Sequence, residues 1–262
     1  MNCPICKTDK IEPFLGILQC VTCTHKFSKR ITDDSYWSDL YENTYNTIYR
    51  KQDEKRKFMY LNEIDWISNF KKFQGSFLDV GCAHGDFFSS LPQNLKKIGI
   101  DLSTNIIEEA KKLHPDCNFH KMTLCNFSTK DKFDFIQFRG VIQHSVDPIN
   151  NLKCATDLLK KNGIILVSSL PNFSSFTSRY YKEKFGFYTP DLSPHFFTNK
   201  SFHYMIKSLN LKITQEISPY LGTPYANPLK DILLFFTNKF QNKSNPPFFG
   251  NIKNYILQLD LS

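Results

Sequence analysis

Two cysteine pairs stand at the front of the chain, Cys3-Pro-Ile-Cys6 and Cys20-Val-Thr-Cys23. Each Cys-x-x-Cys turn sets two thiolates on one side of a tight loop, and four thiolates complete the tetrahedron that Zn²⁺ prefers. The span between the pairs fits a short hairpin whose apolar content is Phe14, Leu15 and Ile17. So small a segment buries no core of its own, so bound metal must supply much of its folding energy. Cys3, Cys6, Cys20 and Cys23 are therefore the expected ligands of a structural zinc, with residues 1–30 as a zinc ribbon. His25 could replace one thiolate, but four cysteines already close the site. Cys82, Cys117, Cys125 and Cys154 are isolated in the sequence and read as small packed side chains.

A second group of residues is spaced for ligand binding. Asp79-Val80-Gly81-Cys82-Ala83-His84-Gly85 closes a short apolar run that begins at Ser76. Glycines at such a place let the backbone turn sharply and approach a ligand with no Cβ in the way. Asp101 closes the next apolar run, Lys97 to Ile100. A carboxylate there can accept hydrogen bonds from both ribose hydroxyls of an adenosine; Ser103 is a competing cap for the helix that follows. The Gly-x-Gly-x-x-Gly pattern of dinucleotide sites would need glycine at 83 and 86, where this chain has Ala83 and Asp86. Two histidines, His144 and His195, are candidates for removing a proton near neutral pH. The competing role for each is structural.

These groups need a scaffold. Phe133 to Phe138 and Ile164 to Ser168 are further buried strands, and Ile106, Ile107, Ala110 and Leu113 have helical spacing, as do Leu152, Ala155, Leu158 and Leu159. Strands alternating with helices imply an α/β fold, a parallel sheet with helices on both faces. Ligands of such sheets bind at the carboxyl ends of the strands. The chemistry is thus expected in the loops after Val80, Ile100, Phe138 and Ser168.

The loop at 79–85 resembles the Asp/Glu-x-Gly-x-Gly-x-Gly signature of class I S-adenosylmethionine-dependent methyltransferases, with Ala83 in place of the middle glycine. Phe138-Arg139-Gly140-Val141-Ile142-Gln143-His144-Ser145-Val146-Asp147-Pro148 is similar to a motif of the subgroup that includes ubiquinone-biosynthesis and surface-polysaccharide (capsule and lipopolysaccharide) methyltransferases. Lys160-Lys161-Asn162-Gly163, Pro171-Asn172 and Ser193-Pro194-His195-Phe196-Phe197-Thr198 extend the likeness, which covers about 75–220. The resemblance implies a Rossmann-like methyltransferase sheet preceded by the ribbon. It also implies S-adenosylmethionine held by Asp79, Gly81, Cys82, Ala83, Gly85, Asp101, Leu102, Asn126 and Arg139. Where the family often carries an acidic residue after the third strand, this chain reads Met122-Thr123-Leu124-Cys125-Asn126, which leaves Asn126 or backbone groups to meet the adenine.

The sulfonium methyl is already activated, so alignment of the acceptor and exclusion of water do most of the work. The segment after the fourth strand lacks an Asn-Pro-Pro-Tyr motif for a base amino group, and no Pro-Cys pair suggests a covalent cysteine. O-methylation of a small acceptor leads: a sugar, a nucleotide-linked sugar or a phosphorylated precursor in capsule assembly. One rival is an RNA methyltransferase, since Cys20-x-x-Cys23-x-His25-x-Phe27 resembles a knuckle of a zinc-ribbon ribosomal-RNA guanine family. The acidic-Ala-x-x-Gly-Tyr stretch that follows there is replaced by Ser28-Lys29-Arg30-Ile31. A second rival is a non-catalytic module, against which Gly81, Gly85 and Asp101 are all retained.

The net charge of +8 comes from lysines scattered along the chain. That pattern describes a solvated basic surface better than a nucleic-acid face. No apolar stretch reaches the ~18 residues of a spanning helix and the N-terminus carries no apolar signal segment, so a cytoplasmic protein is expected. Residues 31–74 read as a helical aromatic lid or linker, because Trp37, Tyr41 and Tyr45 fall four apart and share a helix face. Residues 221–262 read as a C-terminal extension. Its apolar run at Leu229, Ile232, Leu233, Phe235 and Phe236 fits a strand or an amphipathic helix, serving core closure or a homodimer contact, with a peripheral membrane contact as the weaker alternative.

Overall fold

The computed structural model describes residues 1–31, 34–40, 43, 54–221, 223, 226–237 and 248–261. Its centre is a sheet of seven strands in the order β10-β11-β8-β7-β4-β5-β6. These are β4 (Ser76–Val80), β5 (Lys96–Asp101), β6 (Asn118–Lys121), β7 (Phe133–Arg139), β8 (Leu159–Pro171), β10 (Leu211–Ile217) and β11 (Ile252–Leu259). β4 to β8 run parallel, while β11 lies antiparallel between β8 and β10. Every residue of β4 is buried, as expected of a parallel strand covered on both faces. Strand order reverses between β4 and β7, and such a switch point opens a crevice at the carboxyl edge.

Side chains alternate between the two faces. Phe77, Phe135, Ile164, Leu166 and Ile256 point to one face, where Tyr60 and Ile67 of α2 (Glu54–Phe70) and Ile107 and Ala110 of α3 (Thr104–Leu113) cover them. Leu78, Ile136, Phe138, Ile165 and Val167 point to the other. There they meet Leu152 and Ala155 of α4 (Pro148–Leu158) and Phe202 and Met205 of α6 (Asn199–Lys207). The helix starts follow from local chemistry. Asp147 accepts from the Asn150 amide at 2.9 Å ahead of Pro148, and Thr198 and Ser201 form a capping box.

The cysteine-bearing front does not stand apart. β1 (Ile11–Phe14), β2 (Ile17–Cys20) and β3 (Lys26–Phe27) form a small sheet with β9 (His195–Phe196), a strand of the main body. Phe27 pairs with His195 and Lys26 with Phe196. A third apolar cluster, including Ile17, Phe173, Tyr181, Phe185, Phe196, Tyr220 and Phe248, packs under this junction. The ribbon expected at 1–30 is thus continuous with the body through shared backbone hydrogen bonds.

Two expectations are corrected, and one that stood open between two readings is decided. The extension expected after 220 contains β11, an interior strand of the main sheet, because a chain returning antiparallel beside β8 buries Tyr255, Ile256 and Leu257. The apolar run that fitted either strand or helix is α7 (Pro228–Phe236), begun by Asn227, whose side chain accepts from the Lys230 amide. Cys125 and Cys154, read as isolated, form a disulfide. The segment after β6 lies on α4, with Asn150 Nδ2 3.3 Å from Cys125 Sγ; the topology, not the spacing, brings the two sulfurs together. Trp37, on α1 (Asp34–Asp39), is buried and donates its Nε1–H to the Arg30 carbonyl at 2.9 Å. Its expected partners Tyr41 and Tyr45 lie outside the described residues, as does Tyr49.

Because the ribbon closes on β9, Cys20→Ser should reach beyond the ribbon. Hydrogen exchange should show lost amide protection in β2, β3 and β9 with β4 and β5 still protected. The thermal midpoint should fall by a few degrees, ~2–4 °C per kcal/mol lost. Unchanged protection in β9 would show that the ribbon and body are independent.

Candidate functional sites

The four cysteines of the front meet. Their sulfurs all lie within 4.8 Å of one another, with Cys3 and Cys23 at 3.6 Å and Cys6 and Cys20 at 3.4 Å. Tetrahedral Zn–S bonds of ~2.3 Å need sulfur separations close to these. The amides of Cys6 and Cys23 point at the sulfurs of Cys3 and Cys20, at 3.5 and 3.4 Å, as they would to support thiolates. His25 is not in this cluster. Its Nε2 lies 2.9 Å from His195 Nδ1, and His195 Nε2 lies 3.3 Å from the Val146 carbonyl. A carbonyl only accepts, so His195 carries its proton on Nε2 and takes the His25 N–H on Nδ1. Both ring nitrogens of His195 are engaged and the ring is buried. The expectation of His195 as a base is therefore corrected: it fastens the ribbon to the loop after β7.

The second constellation assembles at the carboxyl edge of β4 and β5. The amides of Gly81 and Cys82 both donate to the Ile100 carbonyl, at 2.8 and 3.1 Å, so the loop folds across the end of β5. The Asp101 carboxylate then receives the amides of Ala83 and Ser103, both at 3.1 Å. Gly81 has φ +69°, and a Cβ there would sit 2.5 Å from Val141 Cγ2, so a glycine is required. Ala83 holds φ +49° in the left-handed region without one. The Cys82 side chain turns inward, where burial pushes its thiol up; it offers a ligand only its backbone. Leu102 is exposed beside Asp101, and the Met122 amide donates to the Asp101 carbonyl at 3.0 Å. Asn126 is exposed at the end of a short turn over Leu124–Asn126.

Burial dominates the electrostatics. It raises the Asp79 carboxyl to about 7, against the opposing hydrogen bond from Gln137, whose Nε2 is 3.4 Å away. It also raises Asp101, opposed by the amides of Ser103 and Ala83. Arg139, at the end of β7, forms a two-pronged ion pair with Glu63 of α2 at 2.9 and 3.0 Å and lies over the Tyr60 ring. The sequence pointed to Arg139 but not to Glu63, Tyr60 or Gln137. Glu63 sits on a helix whose pattern carries no motif, and its role shows only when α2 lies against β7. The Gln137 Oε1, Ser168 Oγ and Asn254 Nδ2 atoms, from β7, β8 and β11, are buried with no hydrogen-bond partner among the described residues.

His144 closes the short turn Ile142–His144 after β7. Its Nδ1 lies 2.9 Å from the Leu192 carbonyl and 3.1 Å from Ser193 Oγ. That carbonyl fixes the proton on Nδ1, so Nε2 is the lone-pair nitrogen. Burial lowers His144 to about 4. Next to Leu192 along the chain, Tyr188, Pro190 and Asp191 form one wall of a cleft of about 450 Å³. Glu183 also lines it, and the ribbon supplies the remainder, including Leu15, Ile17, Ser28, Lys29 and Arg30.

A family model described as a methyltransferase domain matches residues 49–216, more than half of the chain. A ubiquinone biosynthesis O-methyltransferase of Bradyrhizobium diazoefficiens is 32% identical over 105 residues, which cover 38% of this chain and 42% of that protein. The protein of the same name from Pasteurella multocida is 31% identical over 111 residues, 36% of this chain and 45% of its own length. The chain thus spans less than half of these curated relatives. Among solved structures, the plantazolicin methyltransferase BpumL in complex with SAH superposes with a TM-score of 0.62 at 19% identity, covering 87% of this chain and 95% of that one. At that identity the likeness is one of fold.

His144 and His195 are both lowered to about 4 by burial, below the ~6.5 of an unfolded chain. The unfolded state therefore binds their protons first on acidification, and stability should fall from about pH 6.5 to 4. Each histidine contributes a slope approaching ~1.4 kcal/mol per pH unit. Urea unfolding of His144→Asn across that range should show the slope reduced by about one proton. An unchanged slope would place the acid sensitivity elsewhere.

Proposed function

The chain belongs to the methyltransferase domain family, on the class I fold of S-adenosylmethionine-dependent enzymes, and from that premise we propose that it O-methylates a small polar acceptor. The observation that carries cofactor binding is the loop 81–85 pinned across β5 by Asp101. Asp101 would receive the ribose hydroxyls on the lone pairs left beside its two amide contacts, and Leu102 and Met122 would flank the adenine, with Asn126 near its edge. Gly81, Ala83 and Gly85 would bring backbone close to the cofactor. The buried Asp79 carboxyl and the Gln137 Oε1 suit an ammonium group, whose charge would draw the Asp79 proton off. Bound there, S-adenosylmethionine would supply an electrophilic methyl.

The chain's own part is alignment and proton removal. Arg139, held by Glu63, fixes α2 over the strand ends and so narrows access of water to that edge. His144 is the proposed base. Its burial keeps it neutral, and the Leu192 carbonyl orients the ring with the lone pair on Nε2. An acceptor hydroxyl within reach of that nitrogen would pass it a proton as oxygen takes the methyl.

The cleft beside Leu192 is the proposed acceptor entrance. Lys29 and Arg30 face it together with Glu183 and Asp191, a set that would hold a phosphate on one side and sugar hydroxyls on the other. A sugar phosphate, a nucleotide-linked sugar or another phosphorylated precursor of surface polysaccharide fits that chemistry. The zinc ribbon would then shape the acceptor site as well as stabilise the fold.

Calorimetric titration with S-adenosylhomocysteine tests the foundation. Wild-type protein should bind in the micromolar range, and Asp101→Ala should bind roughly ten- to a hundredfold more weakly, as expected for lost hydrogen bonds to a charged group. His144→Asn should leave this affinity within about twofold while lowering methyl transfer by roughly a hundredfold or more, the usual share of a general base. A folded, zinc-loaded protein that binds no S-adenosylhomocysteine would sink the proposal.

A further inference from the structure

Helix α7 is turned inside out relative to an ordinary surface helix. Its inner side carries a carboxylate: Asp231 is fully buried and accepts from Tyr220 Oη at 2.8 Å and from the Asn227 amide at 3.1 Å. Phe235 also points inward, against the rings of Phe176, Tyr180, Tyr181 and Phe248. These contacts fix the helix's rotation. They leave Leu229, Ile232, Leu233 and Phe236, spaced i, i+3, i+4 and i+7, on the outside at 85%, 41%, 63% and 79% exposure. A surface helix normally buries such a stripe. On neighbouring α5 (Phe176–Tyr181), Phe176 and Tyr180 are exposed as well and continue the apolar surface.

The flanks of this surface are basic. Arg179 lies on α5 one turn from Phe176, Lys182 and Lys184 follow it, and Lys230 lies on α7; all four are exposed. Among the described residues none of the four takes part in an ion pair, and Glu183 is the one carboxylate between Arg179 and Lys184 in the sequence. An apolar stripe with a cationic border is the pattern of helices that lie in the plane of a membrane surface.

We propose that α7 and α5 form a docking surface for an anionic lipid bilayer, with α7 parallel to the membrane plane. Leu229, Leu233, Phe236 and Phe176 would enter the acyl boundary and the border cations would meet lipid phosphates. A second copy of this chain fits less well, because a two-fold contact sets like patches against each other and so brings cationic borders together. The connections that carry α5 and α7 leave the sheet at the carboxyl ends of β8 and β10. That is the edge where Gly81, Asp101 and His144 lie. Docking would therefore bring the acceptor entrance near lipid headgroups; this consequence rests on the methyl-transfer reading, whereas docking itself does not.

Vesicle sedimentation of the full chain tests the proposal. The protein should pellet with vesicles of phosphatidylcholine containing phosphatidylglycerol, remain in the supernatant with phosphatidylcholine alone, and be released by high salt. Leu229→Ser/Leu233→Ser/Phe236→Ser should abolish pelleting, with the circular dichroism spectrum and affinity for S-adenosylhomocysteine unchanged. Lys182→Glu/Lys184→Glu, which leaves the apolar stripe intact, should weaken partitioning by at least about fivefold per removed cation. No pelleting of wild-type protein with either vesicle would overturn docking, as would partitioning indifferent to the lysine substitutions. Light scattering that shows a dimer dispersed by the apolar substitutions, with no lipid binding, would assign the surface to a second copy instead.

Discussion

The Asp101 carboxylate holding the amides of Ala83 and Ser103 is the contact on which the rest of the candidate site depends. A loop that leaves β4 and folds over β5 turns several backbone N–H groups away from any strand partner. Left unmet in a buried setting, such groups cost about 1–3 kcal/mol each. Ile100 meets two of them through its carbonyl and Asp101 meets a third. The arrangement constrains its neighbours: Gly81 needs its positive φ and has no room for a Cβ beside Val141, and Gly85 would press a Cβ against Phe119 and His114. The sheet's switch point creates the crevice, and the carboxylate fixes the shape of its rim.

A comparable economy of polar groups explains the ribbon. A four-cysteine module of this kind would, alone, expose one edge of its last strand. Here that edge is paired with β9, and the buried His25–His195 contact carries a line of hydrogen bonds from the ribbon to Val146, two residues after His144. Neutral imidazoles suit this place because each can donate on one side and accept on the other. A charged ring in the same setting would be strongly penalised. Ribbon, loop 189–193 and the turn holding His144 are therefore mechanically one unit.

How much of this was legible in the sequence depended on whether the signal was local. The Cys-x-x-Cys pairs, the glycine loop and Asp101 each announce themselves within a few residues, because the physics they answer to (ligand geometry, backbone freedom, a strand end) is local. The alternating strands and helices from Ser76 to Ser168 were readable for the same reason. What escaped was set by topology. His195 looked like a base until β3 was found beside it; Glu63 meets Arg139 only when α2 crosses the sheet. Cys125 reaches Cys154 because two loops pack, and β11 enters the sheet interior although it follows a long excursion.

One consequence of the fold reaches past any single residue. Asp79, Gln137, Arg139, Ser168 and Asn254 sit on β4, β7, β8 and β11 near the same edge. By strand alternation they share the face that carries Phe77, Phe135, Ile164, Leu166 and Ile256 lower down. On that face β4, β7 and β8 are apolar in their middle and turn polar toward their carboxyl ends, and β11, running the other way, is polar near its start. An apolar side chain at each of these places would have extended the core and stabilised the sheet. The chain instead buries a carboxyl raised to about 7 and amide and hydroxyl atoms without partners among the described residues. Buried polar groups of this kind are costly to keep, and their alignment along one edge, beside the pinned loop, is the arrangement expected where stability has been given up for a site.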